Sequence, residues 1–339
     1  MTRDAEGVLD LLVVGAGPTG IAIGAAAREA GRSCLLVDRG PLVASLVDYP
    51  VDMTFFTTRD KLEIAGIPFA VPEDKPNRRQ AIAYYQAVAD CHGLALALYE
   101  DVEGIVREGD LFRIEGRGRD GATLRRARAV AIATGYFCNP LKLGVPGEEQ
   151  AWVRARYREP WAHHGEEVVI VGAGNSGAET ALDLWRHGAR VTLVYRGDTP
   201  KSTIKYWVRP DLENRIEEGS IRAISSARVV AFGDRRVEVE TRGERRSIPA
   251  EAAYVLIGYE PETGLMERAG VQVDPVTKVP RFDPETFETD VPGLYVAGTI
   301  QAGSETHRIF IENSRDHGER IVGHLASRSG VAAVSVPGE

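Results

Sequence analysis

The sequence has few cysteines, and it lacks both an excess of positive charge and a long unbroken apolar run. Its 339 residues include three cysteines, none in a Cys-x-x-Cys pair, which excludes a disulfide framework and a zinc knuckle. With 41 basic and 49 acidic residues the formal net charge is −8, which argues against a general nucleic-acid binder or a binder of anionic membranes. We therefore expect no nucleic-acid or membrane partner and no metal site.

The one early apolar stretch, residues 8–27, does not have the pattern of a signal peptide. Acidic residues precede it, and Gly15, Gly17, Pro18 and Gly20 interrupt it. A signal peptide begins with basic residues and has an unbroken apolar core. No other stretch reaches the length of a transmembrane helix. Because unpaired cysteines fit a reducing compartment, we expect a cytoplasmic protein.

Short apolar runs alternate with helical patterns along the chain, which is typical of the α/β class. One large unit, consisting of a strand, a glycine-rich turn, a helix and a strand, occurs twice. Its predicted elements are residues 8–14, 19–30 and 33–38 in the first copy and 167–171, 175–187 and 190–195 in the second. Further helices are predicted over 78–92 and 306–327, and a strand over 293–297. The repeated unit predicts two Rossmann-like dinucleotide-binding domains.

The first glycine-rich turn has the spacing of a dinucleotide-binding fingerprint. It consists of Gly15, Ala16, Gly17, Pro18, Thr19 and Gly20. In this pattern the first glycine makes the tight turn, the second lets the backbone approach a pyrophosphate, and the third allows the helix to pack on the strand. The helix N-terminus then offers N–H groups to the phosphates. Asp38 ends the next strand about 20 residues further on, where an acid binds the ribose hydroxyls.

The second glycine-rich turn is followed by a basic residue instead of an acid. The turn consists of Gly172, Ala173, Gly174, Asn175, Ser176 and Gly177. The strand after its helix ends in Tyr195 and Arg196, and an arginine at that place suits a 2′-phosphate. Lys201 and Lys205 follow closely and favour the same interpretation. We therefore predict NADPH as the second nucleotide, the alternative being that Arg196 is a solvated strand-end residue.

Two such units imply two nucleotides, and one acidic and one basic ribose site imply FAD and NADPH. We expect residues 1–147 and 288–339 to form the FAD-binding domain. The NADPH-binding domain, residues 148–287, is then inserted within it. In this arrangement a hydride passes from the nicotinamide to the flavin, and electrons pass on to an acceptor.

Three strand-end motifs resemble those of the thioredoxin-reductase-like flavoproteins. The segment 133–135 is similar to the turn that leads the chain out of the FAD domain, and 257–261 is similar to the matching turn of the NADPH domain. The segment 289–298 resembles the strand that returns the chain to the FAD domain. The resemblance implies flavin contacts from Thr134, Gly135, Gly298, Thr299 and Ile300. That class has an aspartate for the ribityl chain where this sequence has Thr299.

Longer stretches resemble one subfamily, the bacillithiol disulfide reductases, over nearly the whole chain. The matching segments are 49–50, 53–56, 61–64, 67–69, 75–76, 84–85, 133–136, 145–148, 309–313 and 317–318. The resemblance implies that NADPH reduces FAD and that FAD reduces a low-molecular-weight disulfide, bacillithiol disulfide, in a homo-oligomeric enzyme. The sequence departs from the subfamily at Thr19, where the subfamily has a cysteine. Threonine can neither form a disulfide nor act as a thiolate.

Three other functions stay open. A ferredoxin or flavodoxin reductase, whose acceptor is a small electron-transfer protein, fits the missing cysteine. A flavin monooxygenase is supported by residues 174–179, although the linking F-x-G-x-x-x-H signature of that family is absent from the sequence. A flavoprotein sensor without turnover is the non-enzymatic alternative.

The sequence does not identify a catalytic residue. We expect Cys34 and Cys91 in the core and Cys138 in a loop that approaches the flavin. His307 and His317 lie at or within the predicted last helix, whose N-terminus points at the flavin in the class that the chain resembles. Four basic residues of the long loop region either attract a polyanionic disulfide or form a solvated face: Arg59, Lys61, Arg78 and Arg79.

Overall fold

The computed structural model describes residues 7–328, in which strands and helices alternate. The elements up to residue 132 are β1 (Leu9–Val14), α1 (Pro18–Glu29), β2 (Cys34–Asp38), α2 (Ala44–Val47), α3 (Arg59–Leu62), α4 (Arg78–Cys91), β3 (Ala95–Leu98), β4 (Asp101–Glu108), β5 (Leu111–Gly118) and β6 (Gly121–Ile132). The next elements are β7 (Val153–Arg154), β8 (Glu167–Val171), α5 (Asn175–Arg186), β9 (Arg190–Val194), α6 (Arg209–Glu217), β10 (Arg222–Ile224), β11 (Ala227–Phe232), β12 (Arg236–Thr241), β13 (Glu244–Pro249) and β14 (Ala252–Val255). The last are α7 (Gly264–Arg268), β15 (Leu294–Val296) and α8 (His317–Arg328), and 3-10 helices cover Trp161–His163 and Gly298–Ala302.

The chain divides into two compact units. Of the described residues, 7–47, 52–139 and 260–328 belong to the first unit, and 48–51 and 140–259 belong to the second. The return to the first unit thus lies at residue 260, whereas the sequence pattern predicts it at 288. The physical reason is packing: Met266 and Val271 are buried in the same apolar cluster as strands β1 and β15.

The first unit is built on a seven-stranded sheet. Its strands follow the order β3-β2-β1-β6-β5-β4, with β15 beside β6. Strands β3, β2, β1, β6 and β15 are parallel, whereas β4 and β5 form an antiparallel meander with β6. Leu11, Leu12 and Val13 of β1 are fully buried. A parallel strand that is covered on both faces needs such a continuous apolar run.

The carboxyl ends of these parallel strands meet at one edge of the sheet. The Ala133 N–H donates to the carbonyl of Val14 at 2.8 Å, and the Ala297 N–H donates to the carbonyl of Ile132 at 2.9 Å. The turns that follow β1, β6 and β15 therefore lie side by side. This is the edge at which open α/β sheets bind ligands.

The second unit contains two sheets. Five parallel strands follow the order β10-β9-β8-β14-β7, and β11, β12 and β13 form an antiparallel sheet. Leu184 of α5 is buried in one cluster with Leu193 of β9. Val171 of β8 is buried in another cluster with Val239 of β12. The five-stranded sheet is thereby covered by apolar side chains from α5 and from the antiparallel sheet.

The predicted elements of both glycine-rich units are confirmed, with ends that differ by one residue at most. The predicted helix over 306–327 is wrong in its first part, since α8 begins only at His317. In the preceding segment the Asn313 carboxamide accepts from the Phe310 N–H at 2.7 Å and donates to the Arg308 carbonyl at 2.8 Å. Short polar side chains that bond the local backbone in this way compete with helix formation. Helix α6 was not predicted.

Candidate functional site

The first glycine-rich turn uses its three glycines in two different ways. Gly15 has φ +113°, and a Cβ there would lie 2.5 Å from the Ala133 carbonyl oxygen, while a Cβ at Gly20 would overlap with the Gly15 carbonyl. A Cβ at Gly17 would meet nothing within 4 Å. The outer glycines are therefore required by packing, and the middle one borders open space beside the start of α1. Gly17 carries no side chain to cap that helix, so its first N–H groups are available to an anion.

The second glycine-rich turn repeats this geometry in the second unit. Gly172 has φ +110°, and a Cβ there would overlap with the Leu256 carbonyl; a Cβ at Gly177 would overlap with the Gly172 carbonyl. At Gly174 the nearest atom would be the Lys201 Cδ, 3.9 Å away. Both turns therefore combine two packed glycines with one open position. That combination suits a dinucleotide pyrophosphate.

Asp38 is tied to the first turn by its own carboxylate. One oxygen accepts from the Ala16 N–H and the other from the Gly40 N–H, each at 2.8 Å. These bonds fix the orientation of the half-buried side chain at the end of β2. A carboxylate has about four acceptor positions, so two stay available for ribose hydroxyls.

The basic residues of the second unit differ in how they are engaged. Arg196 is exposed, and its guanidinium has no ion-pair partner among residues 7–328. Lys201 is also exposed, and its backbone N–H donates to the Ala173 carbonyl at 3.0 Å. Lys205 instead pairs with Glu179 at 2.6 Å. Arg196 and Lys201 thus offer positive charge beside the turn, whereas the Lys205 charge is already paired.

Asn175, Ser176 and Tyr195 have different environments around this turn. The Asn175 carboxamide oxygen accepts from the backbone N–H of Lys205 at 2.9 Å, which ties residues 201–205 to the turn. Ser176 is exposed at the start of α5. Tyr195 is 9% exposed, and burial raises the pKa of its hydroxyl. The Tyr195 ring therefore packs in the interior at the end of β9 and is largely shielded from solvent.

Two further strand-end turns meet at the edge of the first sheet. Gly135 has φ +67°, and a Cβ there would lie 3.2 Å from Thr299 Oγ1, which places Thr134 and Gly135 beside Thr299. Gly298 has φ +73°, and a Cβ there would lie 2.7 Å from Thr19 Oγ1. The residues that the sequence assigned to FAD from three separate segments are therefore neighbours.

Ile300 differs from the other residues predicted to contact FAD. Its side chain is 0% exposed and belongs to the apolar cluster that contains Leu12 and Val296. Only the backbone of Ile300 can therefore face a ligand. The sequence motif predicts where Ile300 lies in the turn, but it does not predict the direction of its side chain.

Thr19 is engaged by a residue that the sequence analysis did not single out. Its Oγ1 lies 3.1 Å from Ser314 Oγ, and the buried Ser314 hydroxyl donates to the Phe310 carbonyl at 2.7 Å. The Thr19 hydroxyl is therefore the donor in the pair. No local pattern signals Ser314, because 295 residues separate the two.

The three cysteines lie in different environments and none forms a disulfide in the described part of the chain. Cys34 is buried as expected, and burial raises the pKa of its thiol to about 12. The expectation that Cys91 is buried is wrong, because it is exposed at the end of α4. Cys138 is half-buried after the turn that contains Gly135.

The two histidines considered from sequence also differ. His307 is exposed. His317 is 4% exposed at the start of α8, and its Nδ1 accepts from the Gly298 N–H at 3.1 Å. Burial, the largest influence, lowers the pKa of the His317 imidazole to about 4, so the ring is neutral at ordinary pH.

Two of the four basic loop residues are held by backbone carbonyls. Arg59 donates to the Val71 carbonyl, and Arg78 donates to the Leu46 carbonyl at 2.9 Å. Lys61 and Arg79 are exposed. Of the four basic residues considered as a site for a polyanion, only Lys61 and Arg79 are therefore both exposed and not held by a backbone carbonyl.

Two absences concern residues 7–328, the part of the chain that the structure describes. In that part of the chain no three His, Cys, Asp or Glu residues are grouped so that they could hold a metal ion. Within the same residues, no helix has both the length and the apolarity to cross a membrane.

The paired nucleotide turns agree with the comparison to known proteins. The family described as pyridine nucleotide-disulphide oxidoreductase matches residues 12–298. The chain belongs to this family. It is therefore an enzyme, an oxidoreductase and a flavoprotein, and the family implies a flavin and a nicotinamide cofactor.

Individual relatives of this oxidoreductase cover nearly its whole length. Bacilliredoxin reductase Bdr of Bacillus subtilis is 34% identical over 94% of this chain and 97% of its own. The solved bacillithiol disulfide reductase Bdr (YpdA) from Bacillus cereus has a TM-score of 0.92 at 33% identity, covering 95% of this chain and all of its own. A ferredoxin–NADP reductase of Thermus thermophilus is 28% identical over 86% of this chain and 84% of its own. The α/β fold and the resemblance stated from sequence are thereby confirmed.

Proposed function

We propose that this oxidoreductase uses NADPH to reduce a low-molecular-weight disulfide through FAD. The observation that carries the proposal is the pair of glycine-rich turns, one followed by an acid that faces back to the turn and one followed by an unpaired arginine. Each turn borders open space at its middle glycine. The two charges select different nucleotides at two turns of the same shape.

FAD is assigned to the first unit. Its pyrophosphate lies at Gly17 and the first N–H groups of α1, and Asp38 accepts from the ribose hydroxyls. Thr134, Gly135, Gly298, Thr299 and the Ile300 backbone form the rest of the site. Thr299 takes the place at which the resembling class bonds the ribityl chain, and its hydroxyl is a hydrogen-bonding group of the right kind. Bound FAD supplies the two-electron chemistry that the side chains present cannot supply.

NADPH is assigned to the second unit. The backbone at Gly174 and Asn175 holds the pyrophosphate, and Arg196 together with Lys201 binds the 2′-phosphate. Glu179 keeps the Lys205 ammonium in place and away from the phosphate. The domain proposed from sequence for this nucleotide, residues 148–287, differs at both ends from the second unit, which consists of residues 48–51 and 140–259.

The overall reaction consumes one NADPH and one proton for each disulfide. The sulfur–sulfur bond is broken and gains two electrons, the nicotinamide loses a hydride, and two thiols are released. The chain's own residues bind and orient both nucleotides, and they hold no thiol at the start of α1, where Thr19 stands. We therefore propose that electron transfer in this chain does not pass through a thiol at the start of α1.

The acceptor is proposed from the names of the relatives and from the sequence resemblance. Bacillithiol disulfide, or a disulfide of a bacilliredoxin, is the acceptor that these names indicate for the relatives. We propose the same acceptor class for this chain, in a homo-oligomer. Light scattering of the purified protein measures the oligomeric state.

A ferredoxin–NADP reductase activity is the second candidate, and Thr19 favours it. A single-electron carrier needs no thiol at the flavin, and ferredoxin reductases are among the relatives. The test is anaerobic NADPH oxidation by the FAD-loaded protein, with bacillithiol disulfide and with ferredoxin in separate assays. Turnover with the disulfide supports the first proposal. Turnover with ferredoxin alone replaces it with the second.

A further inference from the structure

His317 is joined to the backbone of a strand-end turn in the first unit. The Gly298 N–H donates to His317 Nδ1 at 3.1 Å, and both residues are buried. Because Nδ1 accepts, the proton of the neutral ring is on Nε2. A buried backbone N–H needs an acceptor, and the His317 ring supplies it.

The ring of His317 is fixed by its neighbours. It stacks on Phe287 with ring centroids 4.1 Å apart and an angle of 28°, and the Arg320 guanidinium lies 4.3 Å from the centre of the Phe287 ring. The next residue, Gly318, packs on α1, since a Cβ there would lie 2.5 Å from the Ala22 carbonyl oxygen. The imidazole therefore has little freedom to turn away from Gly298.

The turn that His317 holds touches two other turns of the proposed FAD site. Gly298 lies against the Thr19 side chain, and Thr299 lies against Gly135. Gly298 also has φ +73°, a conformation that costs little for glycine. Because glycine has no side chain, this conformation must be held by contacts from other residues. The hydrogen bond from Gly298 to His317 is thus one constraint on where the Thr299 hydroxyl lies.

We propose that His317 is a positioning residue for FAD, acting through the Gly298 N–H to hold the Gly298–Thr299 turn in its FAD-binding shape. This inference rests on the proposed function, since it assumes that the first unit binds FAD. His317 does not itself touch the cofactor in this proposal. It needs a neutral ring, and burial together with the Arg320 charge lowers the pKa of the imidazole, against the opposing effect of the Asp316 charge.

The test compares three variants of the full chain. His317→Phe keeps an aromatic ring beside Phe287 but removes the acceptor, and His317→Asn restores an acceptor oxygen near the place of Nδ1. His324→Phe is the matched control, because His324 also lies on α8 and bonds Tyr295, through Nδ1 at 3.0 Å, instead of Gly298. Titration of apoprotein with FAD, followed by flavin fluorescence and by the visible flavin spectrum, measures each variant.

We expect His317→Phe to weaken FAD binding about 10-fold, since an unpaired buried N–H makes the FAD-binding shape less favourable. The flavin spectrum of this variant is expected to shift. His317→Asn should bind FAD within about 3-fold of the wild type, and His324→Phe within about 2-fold. NADP⁺ binding should not change in any of them, because that site lies in the second unit.

Equal FAD affinity and an unchanged flavin spectrum in His317→Phe would overturn the inference while leaving the proposed function intact. A wild-type protein that binds no FAD would overturn both. If His317→Phe is recovered unfolded, selective ¹⁵N labelling of histidine in the wild type decides the question. The Nδ1 resonance of His317 should then move when FAD is added and that of His324 should not; a His317 resonance that stays fixed overturns the inference.

Discussion

Thr19 and Ser314 are joined by a hydrogen bond of 3.1 Å between their hydroxyl oxygens, although they lie at opposite ends of the chain. The bond connects the start of α1 to the segment that precedes α8. It gives Thr19 a packing role at the place where the resembling subfamily carries a cysteine. The Thr19 hydroxyl at this position therefore makes a structural contact.

Thr19→Val keeps the shape of the side chain and removes this hydroxyl. We expect the free energy of unfolding to fall by about 1 kcal/mol, the usual net contribution of one hydrogen bond. Turnover should stay within about 2-fold, since the hydroxyl takes no part in electron transfer in our proposal. Urea unfolding and steady-state NADPH oxidation measure the two effects, with Thr19→Ser as the control. A large loss of turnover in Thr19→Val, restored in Thr19→Ser, contradicts the proposed role.

Gly17→Ala and Gly174→Ala form a matched pair that tests which unit binds which nucleotide. Each added methyl enters open space at the middle of its turn, where the pyrophosphate is proposed to lie. We expect Gly17→Ala to weaken FAD binding about 10-fold and leave NADP⁺ binding unchanged, and Gly174→Ala to do the reverse. Fluorescence and calorimetric titrations measure both affinities. If either variant weakens the other unit's nucleotide instead, the assignment is wrong.

Gly20→Ala should behave differently from Gly17→Ala in the same turn. A methyl at this position overlaps with the Gly15 carbonyl, so the turn or the helix must move. We expect the free energy of unfolding to fall by about 3 kcal/mol, the upper part of the usual range for overpacking. Urea unfolding of the two variants side by side measures the difference. Equal stability of Gly17→Ala and Gly20→Ala would show that the packing of the third glycine is not as described.

Arg196→Gln should change the preference between the two nicotinamide nucleotides. The arginine has no ion-pair partner in the described residues, so its removal leaves no buried charge behind. We expect the KM for NADPH to rise about 10-fold and the KM for NADH to stay the same, since only NADPH carries the 2′-phosphate. Arg228→Gln, in the same unit but paired with Glu240 at 2.9 Å, is the control. An equal rise for both nucleotides would mean that Arg196 does not read the 2′-phosphate.

Acid should destabilise the first unit through His317. The pKa of this imidazole is about 4 in the folded chain and 6.5 in the unfolded chain, so the unfolded state binds the proton first as the pH falls. The contribution is present above pH 6.5 and is lost toward pH 4. Relative to neutral pH, the stability lost through this histidine amounts to about 2 kcal/mol at pH 5 and about 3 kcal/mol at pH 4.

Urea unfolding of the wild type and of His317→Asn between pH 7 and pH 4 measures the stability lost through the His317 imidazole. The carboxylates titrate alike in both proteins, so the difference between the two curves isolates the histidine. The wild type should lose its advantage as the pH falls. Parallel curves would show that His317 is not buried in its neutral form.

The sequence alone determined the parts of the site that are built by neighbouring residues. A strand, a turn of Gly15 to Gly20 and a helix are local in the chain, and so is the distance from that turn to Asp38. The same holds for the second turn and Arg196. Glycine spacing is therefore sufficient to predict two turns of this shape, and strand-end charge is the basis for the nucleotide proposed at each.

Only the tertiary structure decided the contacts that join distant segments. The bond between Thr19 and Ser314 and the packing of Met266 with the first unit depend on which elements lie side by side, and no short pattern records this. The start of α8 at His317 was missed because hydrogen bonds between the side chains of Asn313 and Ser314 and the local backbone replace the helical ones. The burial that keeps His317 neutral likewise depends on residues from other segments, Phe287 and Gly298. Such contacts are chosen by packing across the whole unit, whereas the glycine turns are chosen by local backbone geometry.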